Sequence, residues 1–266
     1  MKIAMGQFAV SRDPQDNAAT CISLMQQQAL AGGAALLVLP EAVLARDNAD
    51  PDHVINAAQP LNGPFMTALR AASKDNALTT VFTLHVPTAD RKALNVLVAL
   101  RGGEVIATYD KLHLYDAFNV QESRRVMPGT QIPPLIEVAG MKVGLMTCYD
   151  VRFPELARRL VLDGAEVLVL PAAWVRGPLK ERHWEVLCSA RALENTAFMV
   201  AVGECGPRNI GNSLAIDPLG VIVARGTEAP GLIFAELAAS RLAEARSALP
   251  VLENRRFAKP ELEAKK

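Results

Sequence analysis

The chain has 266 residues, 50% hydrophobic and 21% charged, enough for a substantial core and typical of a globular protein. Lys and Arg number 28, as do Asp and Glu, and that balance gives no electrostatic footprint for nucleic acid or an anionic membrane. No apolar run reaches the roughly 18 residues of a membrane span. Met1–Phe8 lacks an export-signal core, and the 4 cysteines form neither a disulfide framework nor a zinc pattern, so a reducing cytoplasm is the expected compartment.

Strand and helix patterns alternate along the chain. Lys2–Phe8 reads as a strand, and Asp13-Pro14 as an N-cap followed by proline at the first helical position. Ala18, Cys21, Ile22, Met25 and Ala29 then recur at helical spacing up to Gly32-Gly33. Ala34–Leu39 is continuously apolar, as expected of a strand buried on both faces. A helix near Phe65–Asp75 precedes a strand at Thr79–Val86, and Ala93–Leu100 with Val105–Tyr109 flank Arg101-Gly102-Gly103-Glu104 as a hairpin. After a polar loop come strands at Leu135–Val138 and Lys142–Thr147, a helix at Phe153–Asp163, a strand at Val167–Leu170 and a helix at Leu179–Asn195. Strands near Phe198–Gly203, Ser213–Asp217, Val221–Ala224 and Leu232–Ala235 and a helix at Ala238–Ser247 follow. No linker divides residues 1–250, which read as one domain; residues 251–266 read as a charged, extended tail.

Cys148 ends an apolar strand and is followed by a short turn and a helix. A thiolate there would sit beside backbone N–H groups at a helix start, a good placement for a nucleophile. Cys21 and Cys188 lie within helical patterns and read as core residues, while Cys205 sits in a Gly/Pro-flanked loop and is ambiguous. Gly33–Ala42 echoes Gly164–Ala173, and Lys2–Phe8 echoes Lys142–Cys148. Buried strands resemble one another, but the shared order of both pieces favours a pseudo-repeat. It would put Glu41 and Cys148 on neighbouring central strands, facing one cleft at the carboxyl ends of the sheet. Partial burial would raise the pKa of Glu41 and suit it to general-base work. Lys111 is a candidate fixed cation, and Glu122 a charged loop residue.

Leu39-Pro40-Glu41, Asp110-Lys111-Leu112-His113-Leu114 and Cys148-Tyr149-Asp150-Val151-Arg152-Phe153-Pro154-Glu155 resemble the three signature blocks of the nitrilase, or carbon–nitrogen hydrolase, superfamily, in its order. The resemblance spans nearly the whole chain. It implies an α/β fold, a four-layer α-β-β-α sandwich with two pseudo-symmetric halves. It implies Glu41 as general base, Lys111 as oxyanion stabiliser, Cys148 as nucleophile and Glu122 as a second glutamate holding Lys111. It implies no metal and no organic cofactor, and a homodimer.

Phe118, Gln121-Glu122-Ser123, Pro171–Pro178 and His183-Trp184 resemble the Nit amidase branch of that family. The expected substrate is a small-molecule amide joining a 2-oxoglutaryl group to cysteinylglycine. Hydrolysis of 2-oxoglutaramate is the alternative, a carbamoylase is more distant, and a non-catalytic binding protein is disfavoured by the intact triad. The Tyr149 N–H is expected at the oxyanion and Trp174 at the pocket wall. Arg125, Arg152, Arg176 and Arg208 are candidates for the substrate carboxylate, with Arg176 preferred because it follows the strand equivalent to the one bearing Glu41. His113 and His183 are read as structural.

Overall fold

Residue alternation along the first strand sets the layering. In β1 (Lys2–Gln7), Ile3 and Met5 join one core and Ala4 the other, as the two-residue period of a strand requires. The computed structural model describes residues 1–47 and 49–263.

β1 pairs in parallel with β2 (Leu36–Val38), and β2 with β3 (Thr79–Pro87). The antiparallel strands β4 (Ala93–Arg101) and β5 (Glu104–Asp110) extend that sheet, with Val126–Met127 alongside β4. The second sheet begins with β6 (Ile136–Val138), antiparallel to β7 (Met141–Leu145). β7, β8 (Val167–Ala172) and β9 (Phe198–Gly203) run parallel, followed by antiparallel β10 (Leu214–Ile216) and β11 (Ile222–Arg225). Finally β12 (Gly231–Glu236) returns to the first sheet, antiparallel to β1. Among the described residues, each sheet thus has three parallel central strands, two antiparallel strands on one side and one on the other, and Val126–Met127 makes a seventh strand of the first sheet. The echoed segments occupy corresponding strands, β1 with β7 and β2 with β8.

One core lies between the sheets, where Ile3, Met5, Leu36, Val38 and Val81 meet Val143, Leu145, Val169 and Val200. It continues beneath α3 (Pro154–Leu162) and α4 (Lys180–Leu193) through Leu156, Leu160, Trp184 and Cys188. The other fills the outer face of the first sheet, where Leu37, Leu39, Phe82 and Val98 meet Cys21, Met25 and Leu69 from α1 (Pro14–Ile22), the winding after it and α2 (Pro64–Ser73). Helices outside, two sheets inside: this is the four-layer α-β-β-α sandwich.

Three expectations are corrected here. The strands that lead to Glu41 and Cys148 face one cleft but are not hydrogen-bonded neighbours; they are central strands of two sheets packed face to face, and the Glu41 N–H donates across to Ala172 O at 3.4 Å. The first helix is not uniform. It begins at Asp13, whose side chain caps Gln15 N, but winds as a π-helix from Ser23 to Leu30. That wider winding brings buried Leu24, Met25 and Ala29 closer together around the helix axis. The tail does not start extended: Val251–Asn254 form a short helix because the Pro250 carbonyl accepts from Glu253 and Asn254, both at 3.1 Å. Further on, Lys259 pairs with Asp163 and Arg159 Nη1 donates to Pro260 O at 3.0 Å, so the tail lies over α3. Residues 264–266 of the expected tail lie outside the described residues.

Candidate active site

The carboxyl ends of β2, β5, β7 and β8 bring together a buried polar cluster. Glu41 follows β2, and the backbone turns sharply after it: Ala42 has φ 57° and its N–H is held by Thr83 Oγ1 at 2.7 Å. Glu41 is 5% exposed and fully bonded. Its Oε1 accepts from Asn95 Nδ2 at 2.8 Å and Lys111 Nζ at 2.9 Å, and its Oε2 accepts from the Ala173 N–H at 2.9 Å.

Lys111 follows β5 and is 2% exposed. Its backbone is pinned on both sides, donating to Asn95 O at 3.0 Å and accepting from Gly129 N at 2.8 Å. Nζ also reaches Glu122, at 2.9 Å to Oε2 and 3.2 Å to Oε1. Glu122 is fixed in turn by the Tyr115 N–H at 2.6 Å. One ammonium therefore lies between two carboxylates.

Cys148 is 6% exposed and has φ 43°, a left-handed conformation that few non-glycine residues adopt and that strained functional turns use. What holds it is Asp150. That buried carboxylate accepts from Thr147 N at 2.8 Å, Tyr109 Oη at 2.9 Å and His113 Nδ1 at 2.7 Å. The His113 ring stacks on Phe153 at 3.7 Å.

The charge states differ from those expected of the sequence. Burial works to raise the Glu41 pKa, but Lys111, by charge and hydrogen bond, and then Arg46 bring it down to about 2. Burial also works against the Lys111 charge, yet Glu122 and Glu41 hold its pKa well above the ordinary lysine value. Burial and then the Glu41 carboxylate push the Cys148 thiol well above its usual value, against the pull of Lys111 and the Ala173 N–H. The resting cluster is a neutral thiol hydrogen-bonded to an ionised Glu41, beside a protonated Lys111. No long helix begins at the sulfur either. Cys148–Arg152 is a five-residue 3-10 turn, α3 starts at Pro154, and the N–H acting on the sulfur comes from the end of β8.

The other candidates are distributed as follows. Tyr149 is half-buried, edge-on to Tyr115 at 5.1 Å. Trp174 is buried after β8, its Nε1 donating to Lys180 O at 2.9 Å. Arg176 is exposed and bonds through its backbone to Arg208 O at 2.7 Å. Arg125 pairs with Asp52. Neither guanidinium bonds to a member of the cluster.

Asn95 and Asp150 carry weaker signals in the sequence. Asn95 is a lone amide within the apolar run Ala93–Leu100, and a buried polar group needs a partner. Asp150 stands three residues after Thr147, the spacing of a capping box. Arg46, ion-paired with Glu204 at 2.7 Å, adds a second cation near Glu41 and left no such signal.

Residues 2–247 match the carbon-nitrogen hydrolase family. The chain belongs to that family. It is 58% identical over 262 residues to a deaminated glutathione amidase of Escherichia coli O157:H7, covering 98% of this chain and 100% of that one. It is 36% identical to the human deaminated glutathione amidase, covering 96% of this chain and 82% of that one. The crystal structure of XC1258 from Xanthomonas campestris, a CN-hydrolase superfamily protein, superposes with a TM-score of 0.84 at 25% identity, covering 97% and 98% of the two chains. Among the described residues, no helix is long and apolar enough to cross a membrane.

Proposed function

We propose that this carbon–nitrogen hydrolase is an amidase that cleaves deaminated glutathione to 2-oxoglutarate and cysteinylglycine. The observation that carries the chemistry is the convergence of Glu41 and Lys111 on the buried Cys148 thiol. The 58% identity to a deaminated glutathione amidase over nearly the whole chain supports the substrate.

Glu41 accepts the Cys148 proton as sulfur attacks the amide carbon. The oxyanion forms beside Lys111 and the Tyr149 N–H, fixed donors of a kind worth about 3–4 kcal/mol each by deletion. Glu41 returns the proton to the departing amine, leaving a 2-oxoglutaryl thioester on Cys148. Glu41 then deprotonates a water, which attacks the thioester and releases the acid. Glu122 keeps Lys111 in place, and Trp174 lines the pocket.

The same reading takes residues 1–250 as one catalytic domain, working as a homodimer in the cytoplasm. The free, buried Cys21, Cys148, Cys188 and Cys205 suit a reducing compartment. The decisive experiment is mass spectrometry of the enzyme mixed with deaminated glutathione. An acyl adduct on Cys148 is expected, and none in Cys148→Ala, which keeps the fold and loses hydrolysis. Turnover by Cys148→Ala would refute the nucleophile assignment, and a strong preference for 2-oxoglutaramate would replace the substrate.

A further inference from the structure

Beside the triad lie two cations without an anion. Lys180 is 4% exposed, yet among the described residues no carboxylate pairs with it. Its Nζ donates to Tyr115 Oη at 3.1 Å and otherwise faces rings, 4.6 Å from the Phe118 centroid and 4.7 Å from that of Trp174. Arg152 shares these rings, 5.0 Å from Trp174 and 5.8 Å from Phe118. Its Nε and Nη2 are buried and have no hydrogen-bond partner. Every other buried cation nearby is neutralised: Lys111 by Glu41 and Glu122, Arg46 by Glu204.

Three physical costs are stacked here. A buried charge needs a partner, and leaving one uncompensated is strongly destabilising. Like charges repel: burial and then the Arg152 guanidinium lower the Lys180 pKa. Lys180 is also the first residue of α4, the positive end of the helix dipole, where a cation is unfavourable. Aromatic faces recover part of this, but they accept no hydrogen bonds in the guanidinium plane. A carboxylate would satisfy all three at once, taking the free Arg152 N–H groups, separating the two cations and meeting the helix N-terminus.

We propose that Lys180 and Arg152 form a carboxylate clamp for the acyl half of the substrate, selecting amides whose acyl chain ends in an acid. The proposal rests on the amidase reading above. The acyl half is assigned because its carboxylate is the nearer of the two to the attacked carbon. Arg152 closes the same five-residue turn that Cys148 opens, and Cys148 lies within electrostatic reach of Lys180. In a 2-oxoglutaryl amide the acid is four bonds from the attacked carbon, about 5 Å once the zigzag of ~1.5 Å bonds is projected on the chain axis. The glycine carboxylate of the leaving group is about two residues away, roughly 7 Å. A clamp on the turn that carries the nucleophile also suits the fragment that stays covalently bound while the amine departs.

The test compares kcat/KM for 2-oxoglutaramate with that for butyramide, whose acyl chain carries no charge, in the wild type and in Lys180→Met. The ratio of acid-terminated to neutral amide is expected to fall at least tenfold, with Lys180→Arg restoring most of it. An equal loss on both amides makes Lys180 a packing residue and overturns the clamp. So does a loss confined to deaminated glutathione, which would place the cation on the leaving group. Calorimetric binding of the product 2-oxoglutarate needs no turnover: at least tenfold weaker binding by Lys180→Met supports the clamp, and equal binding refutes it. Failure of the wild type to hydrolyse any amide defeats the amidase reading separately.

Discussion

Replacing Lys111 by Met removes one ammonium and strands two carboxylates. Glu41 Oε1 loses its partner at 2.9 Å and Glu122 loses both its contacts with Nζ. Breaking a buried pair from one side costs about 3–5 kcal/mol. For a chain of this size each kcal/mol moves Tm by about 2–4 °C, so a fall on the order of 10 °C is expected at neutral pH. The pH dependence is the sharper consequence. In the wild type, Glu41 is held at about 2, below its ordinary 4.5. Its contribution to stability is therefore present above pH 4.5 and lost as pH falls towards 2. Without Lys111 the largest remaining influence is burial, which raises the pKa above 4.5 and reverses the sign. The variant then carries a penalty that is absent below pH 4.5 and grows by up to about 1.4 kcal/mol per pH unit until Glu41 ionises. Urea unfolding of both proteins at pH 5, 6, 7 and 8 measures the gap. A gap that is constant, or that narrows with pH, would show that Lys111 is not what holds Glu41 ionised.

Other perturbations test separate supports of the site. A Cβ at Gly129 would stand 2.0 Å from Asp110 O, and Gly129 N anchors the Lys111 carbonyl. Gly129→Ala should cut kcat on the order of 10²-fold, the usual effect of misplacing a group by about 1 Å; a near-native kcat would mean the loop shifts without moving Nζ. Asp150→Asn keeps the shape but presents an NH2 to donors only, so urea unfolding should show a loss of about 2–3 kcal/mol, together with reduced turnover. Burial raises Glu204 to about 6, whereas the Glu41 and Cys148 values fall well outside the neutral range. An acid limb of kcat/KM near pH 6 should therefore disappear in Glu204→Gln, and its persistence would assign it to another group.

Much of the fold was legible because β1 and β7, and β2 and β8, carry the same local pattern of apolar strand, turn and helix. Glu41, Lys111 and Cys148 each end a strand, where chain direction alone points a residue at the cleft. What the residues could not give is the third dimension. Adjacent half-repeats can lie side by side in one sheet or face to face in two, and a local pattern does not choose. The charge states are hidden from the sequence for the same reason. Burial of Glu41 is visible in an apolar run, but its dominance by Lys111, 70 positions away, is not. Lys180 shows the limit most clearly, since a lysine opening a helix looks like an ordinary surface residue until its missing partner is seen.

A Glu41 carboxylate held at about 2 is too weak a base to strip a thiol pushed above its ordinary value, so the resting pair does not exchange its proton. The arrangement works only if the substrate changes the balance. Lys111 lowers Glu41 by spending its charge on that carboxylate. On the mechanism proposed above, the oxyanion would form beside the same ammonium as sulfur attacks and would compete for it. As the bond to Glu41 weakens, burial takes over and the Glu41 pKa climbs through the range where it can keep the Cys148 proton and deliver it to the leaving amine. On that mechanism basicity would appear only as the tetrahedral intermediate forms, with the raised pKa of the thiol keeping it protonated until then. Glu122, bonded to Nζ at 2.9 Å in the resting cluster, would hold Lys111 as the ammonium turns from one oxygen to the other.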